Sequence, residues 1–178
     1  MDTQKAKDLF IENEIWILTF AGAFQRSNIY KKDNLNDLER EKTRTIFRED
    51  IKTYIRKVVP QYETLVDTKN HIENLKKIIG WSNKYSSILT GGRLNVGVTQ
   101  KLFNLHLKYL WCLNRIEIPP HCPFDRIIIK KLGYTNPPSW TKLNDINKYM
   151  EFVSKAKIKA QEKNISIAEW ELYAFRRR

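Results

Sequence analysis

Apolar residues recur at helical spacing through almost the whole chain, and this periodicity constrains the fold more than any other feature. Over 178 residues, no segment alternates apolar and polar residues with period two for long enough to form a strand. We therefore expect an all-α fold, a compact helical domain with a central buried helix and a glycine-rich, hairpin-like turn. The length suits one domain over residues 1–178, built as two lobes of about residues 1–88 and 89–178.

The helix boundaries follow from capping residues as well as from periodicity. We predict helices over residues 5–26, 37–59, 68–89, 98–113, 126–132 and 142–163, and a short last helix after Ser166. Asp125 is a natural N-cap, Gly133 ends the helix that Asp125 opens, and Ser166 with Glu169 forms a capping box. In the first helix the side chains expected to pack inward are Phe10, Ile11, Ile15, Trp16, Leu18, Phe20 and Phe24.

The charge of the chain indicates a polyanionic partner. Lysine and arginine number 32 against 20 acidic residues, a net charge of +12 with a pI near 9.7. A compact domain with this charge attracts nucleic acid at long range, although a lysine-rich surface from a biased genome is the alternative. The apolar run at residues 15–24 is too short to span a bilayer, so we expect a soluble, cytoplasmic protein without a membrane partner.

A basic ridge lies along the predicted second helix. Its residues follow one another at steps of four: Arg40, Arg44, Arg48, Lys52 and Arg56. Side chains at this spacing share one side of a helix, which suits contact with successive phosphates. The alternative is a solvated face that neighbouring glutamates and aspartates partly neutralise, and the sequence leaves both interpretations open.

The helix at residues 98–113 is apolar on most of its circumference, so we expect it to run through the centre of the molecule. Its polar exceptions follow one another at steps of four, with one neighbour beside them, and so should fall within one narrow sector of the helix: Gln100, Lys101, Asn104 and Lys108. Buried ammonium groups without partners are costly, so these side chains should line a cleft.

Two loops flank this central helix. The segment TGGRLNVG at residues 90–97 precedes it, and its glycines permit positive φ and close backbone approach. The segment PPHCPFDRIII at residues 119–129 follows it, and its prolines restrict the backbone directly before Asp125. We interpret the prolines as fixing the direction in which this carboxylate points.

The order of these segments resembles the helix-hairpin-helix DNA glycosylases, the superfamily of endonuclease III and the 8-oxoguanine glycosylases. Members carry a glycine-containing hairpin, a helix with a catalytic lysine near its start, and a proline-containing stretch that ends in a catalytic aspartate. Here LNVG at residues 94–97, Lys101 and CPFD at residues 122–125 stand in those places. Asn95 replaces the first hairpin glycine, and Ile127 stands where the histidine after the aspartate would be.

The resemblance implies an enzyme that excises a modified or damaged base from DNA, with Lys101 and Asp125 as the catalytic pair. Lys101 would present a free amine to the sugar, and Asp125 would stabilise positive charge or orient the nucleophile. The side chains that would contact the substrate are Gln100, Asn104, Lys108 and His121. The nucleic acid would be held by Gly92, Arg93, Gly97, Arg44, Arg48, Lys52 and Arg126. We expect no metal and no cofactor.

Other interpretations remain open at this point. Arg115 and His121 resemble the Arg-x(4–6)-His signature of the HEPN ribonucleases, which are small all-α proteins. A zinc site built from His106, Cys112, His121 and Cys122 lacks the paired-cysteine spacing that such sites use. A non-catalytic nucleic-acid-binding module would need only the basic ridge and the tail at residues 176–178.

Overall fold

The computed structural model describes residues 2–32 and 36–175. Within this part of the chain the regular elements are α-helices and short 3-10 helices, and the extended segments make only an isolated bridge, Tyr30 to Leu89. The fold is all-α, as the periodicity predicts. The helices are α1 (Thr3–Phe24), α2 (Asp37–Val58), α3 (Thr68–Ser82), α4 (Val96–Cys112), α5 (Arg126–Lys131), α6 (Ile146–Gln161) and α7 (Ile167–Ala174).

The predicted helix ends are confirmed where they depend on local chemistry. Asp125 accepts a hydrogen bond from the backbone N–H of Ile128 at 3.0 Å and so caps α5. Gly133 follows α5 with φ of 95°, a conformation that favours glycine. Ser166 and Glu169 form both hydrogen bonds of a capping box at the start of α7. Short polar signals therefore determine these boundaries.

Helix α4 occupies the centre of the molecule, as its apolar circumference predicts. It packs against α1 on one side and against α3 and α6 on others, and buried apolar side chains from all of these helices form one continuous cluster. Leu102, Phe103 and Leu107 of α4 are completely enclosed. No helix in the described part of the chain is both long and apolar enough to cross a membrane.

The expected orientation of α1 is wrong for three side chains. Phe10, Ile11 and Leu18 lie on the outer surface, and Phe10 keeps 62% of its area exposed. The reason is that α1 is apolar on two faces but lies at the edge of the bundle, so only the face with Ile15 and Trp16 packs inward. Periodicity identifies an apolar face but does not show which of two such faces will be covered.

The chain turns between α3 and α4 through the predicted glycine-rich segment. Gly91 and Gly92 have φ of 74° and 78°, so both adopt the left-handed conformation that glycine tolerates. Asn95 then caps α4 by accepting a hydrogen bond from the N–H of Val98 at 2.8 Å. The turn thus places the start of α4 beside the loop before α6.

Candidate active site

Lys101 and Asp125 lie in direct contact. The Nζ atom of Lys101, in the second turn of α4, is 2.9 Å from Oδ2 of Asp125, the N-cap of α5. The two side chains retain only 7% and 17% of their exposed area. The other carboxylate oxygen, Oδ1, binds the N–H of Ile128, so capping fixes the carboxylate while it faces the ammonium group.

The contact depends on two hydrogen bonds between the residues that directly precede Lys101 and Asp125 in the chain. The side-chain amide of Gln100 donates to the carbonyl of Phe124 at 2.7 Å and accepts from the N–H of Phe124 at 3.0 Å. Gln100 is fully buried, and these two hydrogen bonds satisfy a backbone segment that has no helical partner. Because residues 100 and 124 are joined in this way, residues 101 and 125 meet next to them.

A second set of buried polar groups holds the beginning of the same loop. Asn104 donates to the carbonyl of Cys122 at 2.8 Å and to the hydroxyl of Tyr149 at 3.1 Å. His121 Nδ1 lies 2.7 Å from that hydroxyl, and its Nε2 lies 3.3 Å from Oγ1 of Thr68. The loop is therefore hydrogen-bonded to α4, α6 and the start of α3 at residues that precede Asp125.

Gln100, Asn104 and His121 thus do not lie where the sequence interpretation placed them. All three are fully buried against the loop at residues 119–125, and none lines the cleft beside Lys101. The physical reason is angular: consecutive residues on a helix are about 100° apart, so Gln100 and Lys101 point in different directions. We assign the two amides and the imidazole to positioning the loop instead of to contact with a base.

Burial also determines the ionisation of the chain's histidines. Burial lowers the pKa of His71 and of His106 to about 3, and it holds the pKa of His121 well below the usual 6.5. A contact with the side chain of Asn104 opposes the shift at His71 but does not cancel it. These imidazoles are consequently neutral at physiological pH. His71 and His121 hydrogen-bond with the hydroxyls of Tyr62 and Tyr149 in the core, and His106 stacks on Trp16.

A cleft of about 560 Å³ opens beside the Lys101–Asp125 contact. Its volume lies within the range of about 300–1,000 Å³ that small-molecule sites occupy. The cleft lies between α1, α4, α5 and the end of α7, and its wall combines cations with apolar surface. The side chains that define it include Leu18, Ala21, Gln25, Arg26, Lys101, Leu105, Lys108, Asp125, Arg126, Trp140 and Phe175.

A second ion pair lies along the same cleft. Lys108 Nζ is 2.6 Å from Oε2 of Glu171 on α7, and the carboxylate is almost fully buried. Burial raises the pKa of Glu171, and the neighbouring Lys108 and Lys101 oppose that shift. The ring centroid of Phe175 lies 4.9 Å from Lys108 Nζ and 6.0 Å from Lys101 Nζ.

Glu171 and Phe175 are functional candidates that the sequence analysis missed. The signal available in the sequence was a single acidic residue in the middle of the apolar segment WELYAF at residues 170–175. A carboxylate on an apolar helix face requires a cation or hydrogen-bond donors opposite it. The sequence could therefore predict that Glu171 has a partner, but not that the partner is Lys108.

The glycine-rich turn does not offer its predicted backbone donors to a phosphate. The N–H of Gly92 donates to the carbonyl of Leu89 at 3.0 Å, and the N–H of Gly97 donates to the carbonyl of Leu143 at 2.9 Å. A Cβ atom on Gly97 would lie 1.7 Å from the carbonyl oxygen of Trp140. Gly97 is therefore required for close packing of the loop before α6. The prediction that Gly92 and Gly97 bind a phosphate through their backbone N–H groups is wrong, because both groups already have acceptors.

The predicted basic contacts separate into three surfaces. Arg126 lines the cleft, whereas Arg93 lies in a polar depression of about 410 Å³ next to it. Arg44, Arg48 and Lys52 line a separate groove between α1 and α2. Arg56, the last residue of the predicted ridge, forms an ion pair with Glu12 at 2.8 Å. The tail at residues 176–178 lies outside the described residues.

The geometry does not favour the alternative catalytic or metal sites. Arg115 is exposed and lies 3.4 Å from Asp8, while His121 is enclosed next to Tyr149, so the two do not form a solvent-facing pair. Cys112 is exposed and Cys122 is buried. Within residues 2–32 and 36–175, no group of three or more His, Cys, Asp or Glu side chains is arranged to hold a metal ion.

No protein-family model matches this chain, and the searches of curated proteins and of solved structures found no significant match either.

Proposed function

We propose that this protein is a base-excision enzyme of the DNA glycosylase type, with Lys101 as its nucleophile and Asp125 as the acid–base partner of that lysine. The observation that carries the proposal is the 2.9 Å contact between Nζ of Lys101 and Oδ2 of Asp125 at the wall of the cleft. A lysine–carboxylate pair at a cleft large enough for a nucleobase is the arrangement that this chemistry requires.

The reaction begins with proton transfer within the pair. Asp125 takes a proton from the ammonium group of Lys101, and the resulting amine attacks C1′ of the nucleotide sugar. A C–N bond forms at C1′ while the base departs with the electrons of the glycosidic bond and takes the proton from Asp125. The sugar ring then opens, O4′ gains a proton from the nitrogen, and a Schiff base remains on Lys101. The ionised Asp125 next to it stabilises the positive charge.

The surroundings of the pair suit a nucleotide. Arg26, Arg126 and Lys108 bring positive charge to the cleft, where phosphate groups would flank the sugar. Phe175 and Trp140 add flat apolar surface to the same wall, which suits a base that has left its stack. The net charge of +12 would bring the protein to DNA before a specific base is selected.

Borohydride trapping tests the proposal directly. The reagent reduces a Schiff base to a stable amine, so the native protein should form a covalent adduct with DNA that contains oxidised, deaminated or alkylated bases. Lys101→Met keeps the packed methylene groups and should give no adduct. Asp125→Asn should reduce adduct formation by about 100-fold, the usual contribution of a general acid–base group. Lys157→Met, on the exposed face of α6, is the matched control and should trap like the native protein.

The outcomes separate two classes of function. An adduct that persists in Lys101→Met would rule out Lys101 as the nucleophile. If the native protein binds DNA but neither traps nor releases any base from the tested set, the protein is a non-catalytic binding module.

A further inference from the structure

A groove of about 700 Å³ lies between α1 and α2, next to the cleft around the circumference of α1. Its wall contains both aromatic rings and cations. The residues that define the groove include Ile17, Phe20, Ala21, Phe24, Gln25, Tyr30, Arg44, Arg48, Glu49 and Lys52. Nothing in the reaction at Lys101 requires this groove, so it needs a separate explanation.

Two cations of the groove lie against aromatic faces. The guanidinium carbon of Arg44 lies 4.7 Å from the ring centroid of Tyr30, and Nζ of Lys52 lies 5.8 Å from that of Phe20. Both rings are only partly buried. Each cation lies over its ring, and Phe20 also stacks on Phe24 with the two centroids 5.1 Å apart. An unpaired base would therefore pack on the guanidinium of Arg44 or on the part of each ring that remains exposed, and walls of cations and aromatic rings are how proteins hold unpaired nucleotides.

The acidic partners of these cations are weakly held. Arg44 pairs with Glu41 at 2.9 Å and Lys52 with Glu49 at 2.7 Å, and both carboxylates are more than half exposed. The Arg44 and Lys52 side chains keep 26% and 17% of their area exposed, so it is the carboxylate end of each pair that faces the solvent. Pairs with a solvent-exposed partner contribute about 0–1 kcal/mol, so a phosphate group that approaches from the solvent can replace the carboxylates at little cost. Among the described residues that line the groove, cations outnumber carboxylates.

The groove and the cleft are joined across α1. Ala21 and Gln25 line both depressions, and both are exposed. Ile17 on the groove side and Leu18 on the cleft side form an exposed apolar ridge between them. Ala21 has a small side chain, so a continuous strand that passes over this position can reach both sites.

We infer that the groove is the binding site for an unpaired DNA strand that crosses α1 at Ala21 and continues into the cleft. This inference rests on the proposed function for the nucleotide in the cleft. Bases in a duplex stack on one another and cannot pack on the wall formed by Arg44, Tyr30 and Phe20, whereas an unpaired base can. The preferred substrate is therefore a single strand or an unpaired segment, with phosphates on Arg44 and Lys52 and with a neighbouring nucleotide at Lys101.

Fluorescence anisotropy with a labelled oligonucleotide of about 12 nucleotides tests this inference, because single-strand sites span about 4–16 nucleotides. The single strand should bind more tightly than the same sequence as a blunt duplex. The double variant Arg44→Gln/Lys52→Gln should weaken single-strand binding about tenfold, and loss of two phosphate contacts should reduce the slope of log K against log salt by about 1.4. Lys157→Gln/Lys163→Gln removes the same charge from exposed positions that line neither the groove nor the cleft, and should change binding much less.

A second variant tests the crossing point. Ala21→Glu places a carboxylate where the strand would pass, on an exposed helical position that tolerates glutamate, so the fold should be retained by circular dichroism. Single-strand binding should fall in Ala21→Glu, and it should fall less in Ala21→Gln, which adds a similar bulk without the charge. Equal binding by Ala21→Glu and the native protein would overturn the proposed path.

Failure of this inference and failure of the proposed function give different results. If the protein traps efficiently on intact duplex DNA and the groove variants do not affect single-strand binding, the groove is not a strand-binding site, but the proposed enzymatic function is still supported. If single-strand binding depends on the groove residues but no trapping occurs, the proposed base-excision activity is refuted and strand binding in the groove is supported. Tighter binding of an RNA strand of the same sequence through Arg44 and Lys52 would overturn the assignment of DNA.

Discussion

Replacement of Asp125 by asparagine should reveal how strongly the Lys101–Asp125 pair is desolvated. The change removes the charge but keeps the size of the side chain and its ability to cap α5. At 2.9 Å, the attraction between two unit charges is about 6 kcal/mol at an effective dielectric constant of about 20, and about 1.4 kcal/mol in water. Because dehydration offsets much of that attraction, we expect Asp125→Asn to lower the free energy of unfolding by about 3 kcal/mol.

Removal of the lysine should lower the free energy of unfolding by less than removal of the carboxylate does, because the two side chains differ in exposure. In Lys101→Met the remaining carboxylate keeps 17% of its area exposed and still accepts the N–H of Ile128, so we expect a loss of about 1 kcal/mol. In the double variant no ammonium group is left unpaired, and the total loss should be only about 2 kcal/mol. The coupling energy between the two sites is then about 2 kcal/mol.

Urea unfolding followed by tryptophan fluorescence at neutral pH gives the four free energies of this cycle. Asp145→Asn is the matched control, because Asp145 caps α6 from an exposed position and asparagine is an equally good cap. That variant should change the free energy of unfolding by less than about 0.5 kcal/mol. A coupling energy for Lys101 and Asp125 below about 0.5 kcal/mol, typical of exposed pairs, would refute the claim that the cleft desolvates them.

Two further predictions concern stability. Burial lowers the pKa of two of the three histidines to about 3 and that of the other well below 6.5, so below pH 6.5 the unfolded chain binds more protons than the folded chain. The free energy of unfolding should therefore decrease as the pH is lowered below 6.5, by up to about 1.4 kcal/mol per pH unit for each histidine. A urea midpoint equal at pH 7 and about pH 5.5 would contradict the burial. Gly97→Ala should destabilise the protein by about 3 kcal/mol or more, because its Cβ would meet the carbonyl oxygen of Trp140 at 1.7 Å. Gly80→Ala, in an open position of α3, should instead be neutral or stabilising in the same thermal-unfolding assay.

The sequence determined the features that depend on residues close together in the chain. Helical periodicity and capping act within a few residues, so the all-α class and the caps at Asp125 and Ser166 could be predicted. The apolar circumference of α4 likewise required a central position. The expectation that Lys101 and Asp125 meet came from the order of the motifs, and the contact between them is present.

Only the tertiary structure decided which polar groups face each other. Gln100 lies next to Lys101 in the chain, yet it binds the backbone of Phe124 while Lys101 faces the cleft. Glu171 reaches Lys108 from 63 residues further along the chain. Local sequence signals do not encode such distant pairings, because the relative placement of two helices depends on how their whole surfaces pack. Desolvation then makes the resulting contacts strong, since a buried charge must find a partner wherever packing puts it.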